Sequence, residues 1–112
     1  MGNPRRAAGS YGHTVKEDHP QYVTSVARAF SILRCFEHGE QYLGNQDIVR
    51  RTDLPKPTVS RMTFTLSALG YLEYSPQLEK YSLGPGILSL GHAFMKTHDV
   101  VTIAQPLMRE LA

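Results

Sequence analysis

The spacing of apolar positions changes along the chain, and each change marks a new element. From Tyr22 the run TSVARAFSILRCFEHG places Val26, Ala29, Phe30, Leu33 and Phe36 at steps of three and four, the period of one helix face. Ile32 and Cys35 add further apolar surface. Thr24 or Ser25 is positioned to cap the start, and Gly39 to stop the helix. In the following stretch, YLGNQDIVRRTDLPKPTVSRMTFTLSALGYL, Asn45 reads as the N-cap of a short helix through about Arg51. Asp53, Leu54 and Pro55 interrupt it. Pro57 suits the first turn of a second helix, because its missing N–H has no intrahelical partner there anyway. That helix, at about 56–69, carries Val59, Met62, Leu66 and Leu69 on one face, and Gly70 ends it. Two helices joined by a turn of a few residues form a helix-turn-helix.

After Gly70 the period falls to two. Tyr71–Tyr74 and Lys80–Leu83 read as short aromatic-rich strands around a turn at Ser75–Glu79. The predicted fold class is mainly α with a small antiparallel β-hairpin, a winged helix-turn-helix over 22–84. In residues 85–98 Ile87, Leu88, Leu90, Ala93, Phe94 and Met95 cover more than one helical stripe. This predicts a linker helix buried on two sides, one against its own domain and one against a partner. Asp99 is placed to cap one more helix, VVTIAQPLMRELA, with Pro106 kinking it or near its start. Its apolar residues have no further core to join, so 99–112 read as the truncated start of something larger, or as residues frayed or buried by a partner. Residues 1–21 are rich in Gly and Pro, show no periodicity and read as a disordered tail.

Composition narrows the class without naming a partner. The chain has 112 residues, 41% hydrophobic and 20% charged, with a net charge of +2. It has no apolar run of membrane-spanning length and no apolar signal segment at its start. The single Cys35 cannot form an internal disulfide and suggests a reducing compartment. Charge becomes informative only locally. From Arg50 to Arg61 four basic residues, Arg50, Arg51, Lys56 and Arg61, stand against Asp53 alone.

That basic stretch coincides with the second helix of the pair. Its outward positions are predicted to be Lys56, Thr58, Ser60, Arg61, Thr63 and Thr65. A recognition helix needs this division of polar and apolar positions. Arg61 can bond two acceptors of guanine, and Thr58 can offer a hydroxyl to a base or a methyl to thymine. Lys56 beside the helix N-terminus suits a phosphate.

Other motifs lead nowhere chemical. Cys35-x-x-His38 lacks a second ligand pair, and His92 and His98 lack a nearby acid. Gly84-Pro85-Gly86 lacks the ending of a phosphate loop and reads as the bend between wing and linker helix. No spacing suggests a catalytic set, a metal site or a cofactor site, so an enzyme is not expected.

The segments TSVARAFSILRCF, NQDIVRRTDLPKPTVSRMTFTLSALGYLEY and KYSLGPGILSLG resemble the DNA-binding half of the IclR family of bacterial transcriptional regulators. The match covers about residues 22–112. It implies a cytoplasmic regulator that binds a double-stranded DNA operator. It also implies homodimers, or dimers of dimers, built through the first helix and the linker helix, with Ile87, Leu90 and Phe94 in that interface. Residues matching Lys56, Thr58, Ser60 and Arg61 would carry most contacts. Arg28 and Asn45 or Gln46 would hold phosphates, and Lys80 in the wing would approach the flanking backbone or minor groove. Two positions depart from the family's string: Pro57 stands where Ser is usual, and Asp53 where the turn usually has Gly. The family's C-terminal domain binds small organic acids or aromatic metabolites, so a small-molecule effector belongs to a longer form only. The competing expectation is a winged-helix interaction module that pairs with full-length regulators without reading DNA. RNA binding through Tyr71, Tyr74 and Tyr81 is weaker, because these rings better serve to pack the wing.

Overall fold

The computed structural model describes residues 16–99. Their order is α1 (Thr24–Arg34), a 3-10 turn (Cys35–His38), α2 (Asn45–Thr52), α3 (Lys56–Ala68), β1 (Leu72–Ser75), β2 (Lys80–Leu83) and α4 (Pro85–Thr97). This is a winged helix-turn-helix followed by a further helix. The expected tail falls mostly, and the expected last helix across Pro106 almost wholly, outside the described residues. Among the described residues, no helix is long and apolar enough to cross a membrane.

Helix α1 and the 3-10 turn after it bury only part of the face that the spacing predicts. Of that face Phe36 is buried and Leu33 packs against the core, but Val26 and Phe30 are 54% and 57% exposed, and Ile32 and Cys35 enter the core beside Phe36. Periodicity alone gives the string but not how far along it the neighbours reach. The start of α1 also differs: the N-cap is Val23, and neither Thr24 nor Ser25 caps it. Gly39 closes the 3-10 turn as expected, with φ 93. The Cys35 thiol donates to the Ser31 carbonyl at 3.3 Å. Burial pushes its pKa up to about 11, so it stays protonated at neutral pH and is neither a nucleophile nor a thiolate ligand.

Helix α2 is capped by Gly44, not by Asn45, which is its first residue. The Gly44 N–H donates to Asp47 Oδ2 at 2.9 Å. That bond, with Arg50 and Lys80 nearby, holds the Asp47 carboxyl below the usual range. Asp53 ends α2 with φ 58, its N–H donating to the Val49 carbonyl at 2.9 Å. The left-handed conformation expected of this position is therefore adopted. Asp tolerates it because its short side chain bonds locally; a β-branched residue does not. Asp53→Val is expected to cost about 2 kcal/mol and Asp53→Gly to be near neutral. Urea unfolding midpoints of the two variants check this.

Thr52 makes the turn to α3 self-satisfied. Its hydroxyl donates to the Ile48 carbonyl at 2.7 Å and accepts the Leu54 N–H at 3.3 Å. Pro57 lies in the first turn of α3 as predicted. Ile32, Phe36, Leu43, Ile48, Leu54, Val59, Leu66 and Leu72 form the core with Cys35.

The wing is antiparallel, with Leu72 opposite Leu83 and Tyr74 opposite Tyr81. The Tyr74 and Tyr81 rings are 5.0 Å apart, and Tyr71 and Tyr81 pack against the core. Leu43 and Tyr81 exchange backbone hydrogen bonds at 2.9 and 2.8 Å, tying the start of α2 to β2. The bend at Gly84–Gly86 does join wing and α4. The Gly84 N–H donates to Tyr71 at 2.9 Å, and the Gly86 N–H to Gly70 at 2.8 Å. Beyond that bend α4 buries no residue. Ile87 is half-buried, while Leu88, Leu90, Phe94 and Met95 are exposed. The side expected to rest on its own domain is thus missing, because α4 leaves the core at the bend.

Candidate nucleic-acid interface

Helix α3 sorts its side chains by turns of 100°. Val59, Thr63 and Leu66 are buried, and Met62 is half-buried. Thr63 was expected to face outward, yet it lies four residues after Val59 and three before Leu66, on the same face. The core accepts it because its hydroxyl is satisfied. It lies 2.9 Å from the Val59 carbonyl oxygen and 3.1 Å from both the Ser60 carbonyl oxygen and Asn45 Oδ1. The last contact pins α2 to α3 and commits the Asn45 side-chain oxygen to the fold. Leu69, expected inside, is exposed at the helix end.

The exposed side of α3 holds Lys56, Ser60, Arg61 and Thr65. Thr58 is half-buried and turns toward α1. Arg28 of α1 joins Thr58, Arg61 and Thr65 around a cleft of about 470 Å³, floored by Ala29, Met62 and Leu66. Two arginines and three hydroxyl residues, Ser25 among them, therefore line one cleft together with apolar side chains.

The basic stretch divides in an unexpected way. Arg50 pairs with Asp47 across one helical turn. Arg51 pairs with Glu40 and also donates to the Cys35 carbonyl at 3.2 Å. The Arg51 bond holds the Glu40 carboxyl below its usual range, and Glu40 in turn raises the Arg51 pKa. Arg51 therefore fastens α2 to the 3-10 turn and to Glu40, while the Arg50 pair stays within α2. Lys56 and Arg61 have no ion pair among the described residues, and neither has Arg28. A charge count along the sequence could not make this distinction, because Glu40 lies eleven residues from its partner.

On the other side of the motif, Lys80 of β2 packs beside the start of α2. A Cβ added at Gly44 would lie 3.7 Å from Lys80 Cγ. Gln46 is exposed in the first turn of α2. The structure thus assembles Asn45, Gln46 and Lys80 at one place and Arg28, Thr58 and Arg61 at another, with Lys56 and Ser60 on the exposed side of α3. Ile87, Leu90 and Phe94 share one stripe of α4, where the Phe94 ring stacks on His98 at 4.1 Å. Sequence reasoning missed Phe64, which α3 holds in solvent.

Comparison with known proteins agrees with the winged helix-turn-helix fold. Residues 25–76 match the IclR helix-turn-helix domain. The chain is 42% identical over 98 residues to the HTH-type transcriptional regulator TsaQ1/TsaQ2 of Comamonas testosteroni, covering 88% of this chain and 35% of that protein. It is 32% identical over 93 residues to the Pca regulon regulatory protein of Pseudomonas putida, covering 83% and 31% respectively. An IclR family transcriptional regulator from Brucella abortus superposes with a TM-score of 0.71 at 45% identity, covering all of this chain and 40% of that one. The chain spans about a third of the length of the curated relatives it matches. With its helix-turn-helix, its wing and the helix that follows, the chain belongs to the IclR family of transcriptional regulators.

Proposed function

We propose that this chain is the DNA-reading part of a dimeric transcriptional regulator, with α3 entering the major groove of an operator. The observation that carries the proposal is the division of cations. Arg50 is matched by Asp47 within α2 and Arg51 is tied to Glu40 and the Cys35 carbonyl, while Lys56 and Arg61 have no ion pair among the described residues and stand on or beside the polar face of α3. Arg61 reads a base edge, assisted by Ser60 and Thr58. Lys56, Arg28 and Lys80 hold phosphates, and Gln46 and the remaining amide of Asn45 add neutral contacts. Two copies pair through the apolar stripe of α4 (Ile87, Leu90, Phe94) and the exposed Val26 and Phe30 of α1. They read half-sites roughly 10 base pairs apart, or a multiple of that. Residues 22–84 form the reading domain and 85–98 the pairing helix. The protein works in the bacterial cytoplasm.

The exposed apolar stripe of α4 also favours the second reading, an interaction module that pairs without touching DNA. One experiment separates the two. After a binding site is selected from a random DNA pool, Arg61→Ala is expected to weaken binding by about 1–3 kcal/mol and to relax preference at one base. Phe94→Glu is expected to weaken binding through loss of pairing, seen as a smaller species in sedimentation. Regulation that survives Arg61→Ala but not Phe94→Glu favours the interaction module.

A further inference from the structure

Phe64 is 73% exposed, more than any other large hydrophobic side chain among the described residues. It sits in the middle of α3, on the side opposite the buried Val59, Thr63 and Leu66. It is not part of the core, and it does not line the cleft shared with α1. On a helix surface its neighbours are the residues three and four positions away, here Ser60, Arg61, Ser67 and Ala68. Each is polar or small. The ring is therefore a lone apolar group within the polar stripe proposed to read DNA, and it is not continuous with the apolar stripe on α4.

In the major groove the base edges present hydrogen-bonding atoms and one apolar group, the thymine 5-methyl. A phenyl ring placed among base-reading polar groups matches that methyl. We propose that Phe64 is a specificity-determining residue that packs on the methyl of a thymine beside the base read by Arg61. The inference rests on the DNA-binding reading above. Three residues of helix advance about 4.5 Å along the axis. Successive base pairs are about 3.4 Å apart, so the thymine lies one or two base pairs from the base that Arg61 contacts.

The test uses the full chain and the binding site selected from random DNA. Each thymine in a half-site is replaced in turn by deoxyuridine, which removes only the methyl. Wild-type affinity is expected to fall about fourfold at one thymine per half-site, the effect of leaving one methyl in water. Phe64→Ala is expected to bind the thymine site as weakly as wild type binds the uracil site, and to discriminate no longer between them. Phe64→Leu should retain part of the discrimination. Because Phe64 is outside the core, circular dichroism of Phe64→Ala should match wild type. Wild type that binds its selected site with no thymine sensitive to uracil overturns the inference and leaves the DNA reading standing. Sensitivity that persists in Phe64→Ala does the same. A wild-type chain that enriches no sequence from the pool overturns both.

Discussion

Replacing Gly84 with alanine is expected to cost about 3 kcal/mol of stability, at the top of the usual range for overpacking. The added Cβ would lie 2.4 Å from the Gly70 carbonyl oxygen, and 3.0 Å from both the Gly70 carbonyl carbon and the Leu72 carbonyl oxygen. All three atoms are backbone, so no rotamer change relieves the contact. The backbone cannot shift freely either. The Gly84 N–H is bonded to Tyr71 and the Gly86 N–H to Gly70, and Gly70 itself stands at φ 89. For a domain of this size the loss corresponds to a fall in Tm of about 15 °C. Gly91→Ala is the control, since an added Cβ there meets nothing within 4 Å. It lies inside α4 and is expected to hold or raise the Tm, because alanine is the better helix former. Thermal unfolding followed by circular dichroism checks both variants. The junction also sets the angle between α3, which is proposed to read DNA, and α4, which is proposed to pair the copies. Gly84→Ala should therefore weaken DNA binding even at temperatures where the domain remains folded.

The elements themselves were legible because each is encoded by its neighbours. The shift from steps of three and four to steps of two after Gly70 marks the passage from α3 to the wing. Asp53 and Gly39 sit where the chain needs a left-handed residue, and both adopt that conformation. What the sequence did not disclose depends on partners distant along the chain. Val26 and Phe30 obey helical spacing as well as Ile32 and Phe36 do, and only the packing of α2 and α3 decides which pair is covered. Thr63 looks like a surface residue until the Val59 carbonyl and Asn45 satisfy its hydroxyl. Arg51 counts toward the basic stretch until the fold brings Glu40 to it. Phe64 escaped notice for the opposite reason. An apolar residue at an exposed position breaks the pattern that sequence reasoning uses, and such breaks are where function is expected to show.

DNA affinity is expected to fall by about three orders of magnitude between 50 and 200 mM salt. Among the described residues Arg28, Lys56 and Lys80 make no ion pair. Arg28, Lys56 and Lys80 are assigned to phosphates in each copy, so a dimer makes about six charged contacts and the slope of log K against log salt is about −5. Gln46 and Asn45 are neutral and release no counterions. Arg50 and Arg51 are already matched by Asp47 and Glu40, so approaching DNA would require breaking those pairs or would bring their carboxylates along. Had both arginines joined the interface, the dimer would make about ten charged contacts and the slope would be about −9. A titration across this salt range by fluorescence anisotropy distinguishes the two values. Lys56→Ala should flatten the slope by about 2 for the dimer and weaken all sequences alike. Arg51→Ala should leave the slope unchanged while lowering stability, because it removes the tie between α2, Glu40 and the Cys35 carbonyl. A steep slope that flattens in Arg51→Ala would return that arginine to the interface. A flat slope in wild type would remove phosphate contact altogether, and with it the case for DNA as the partner.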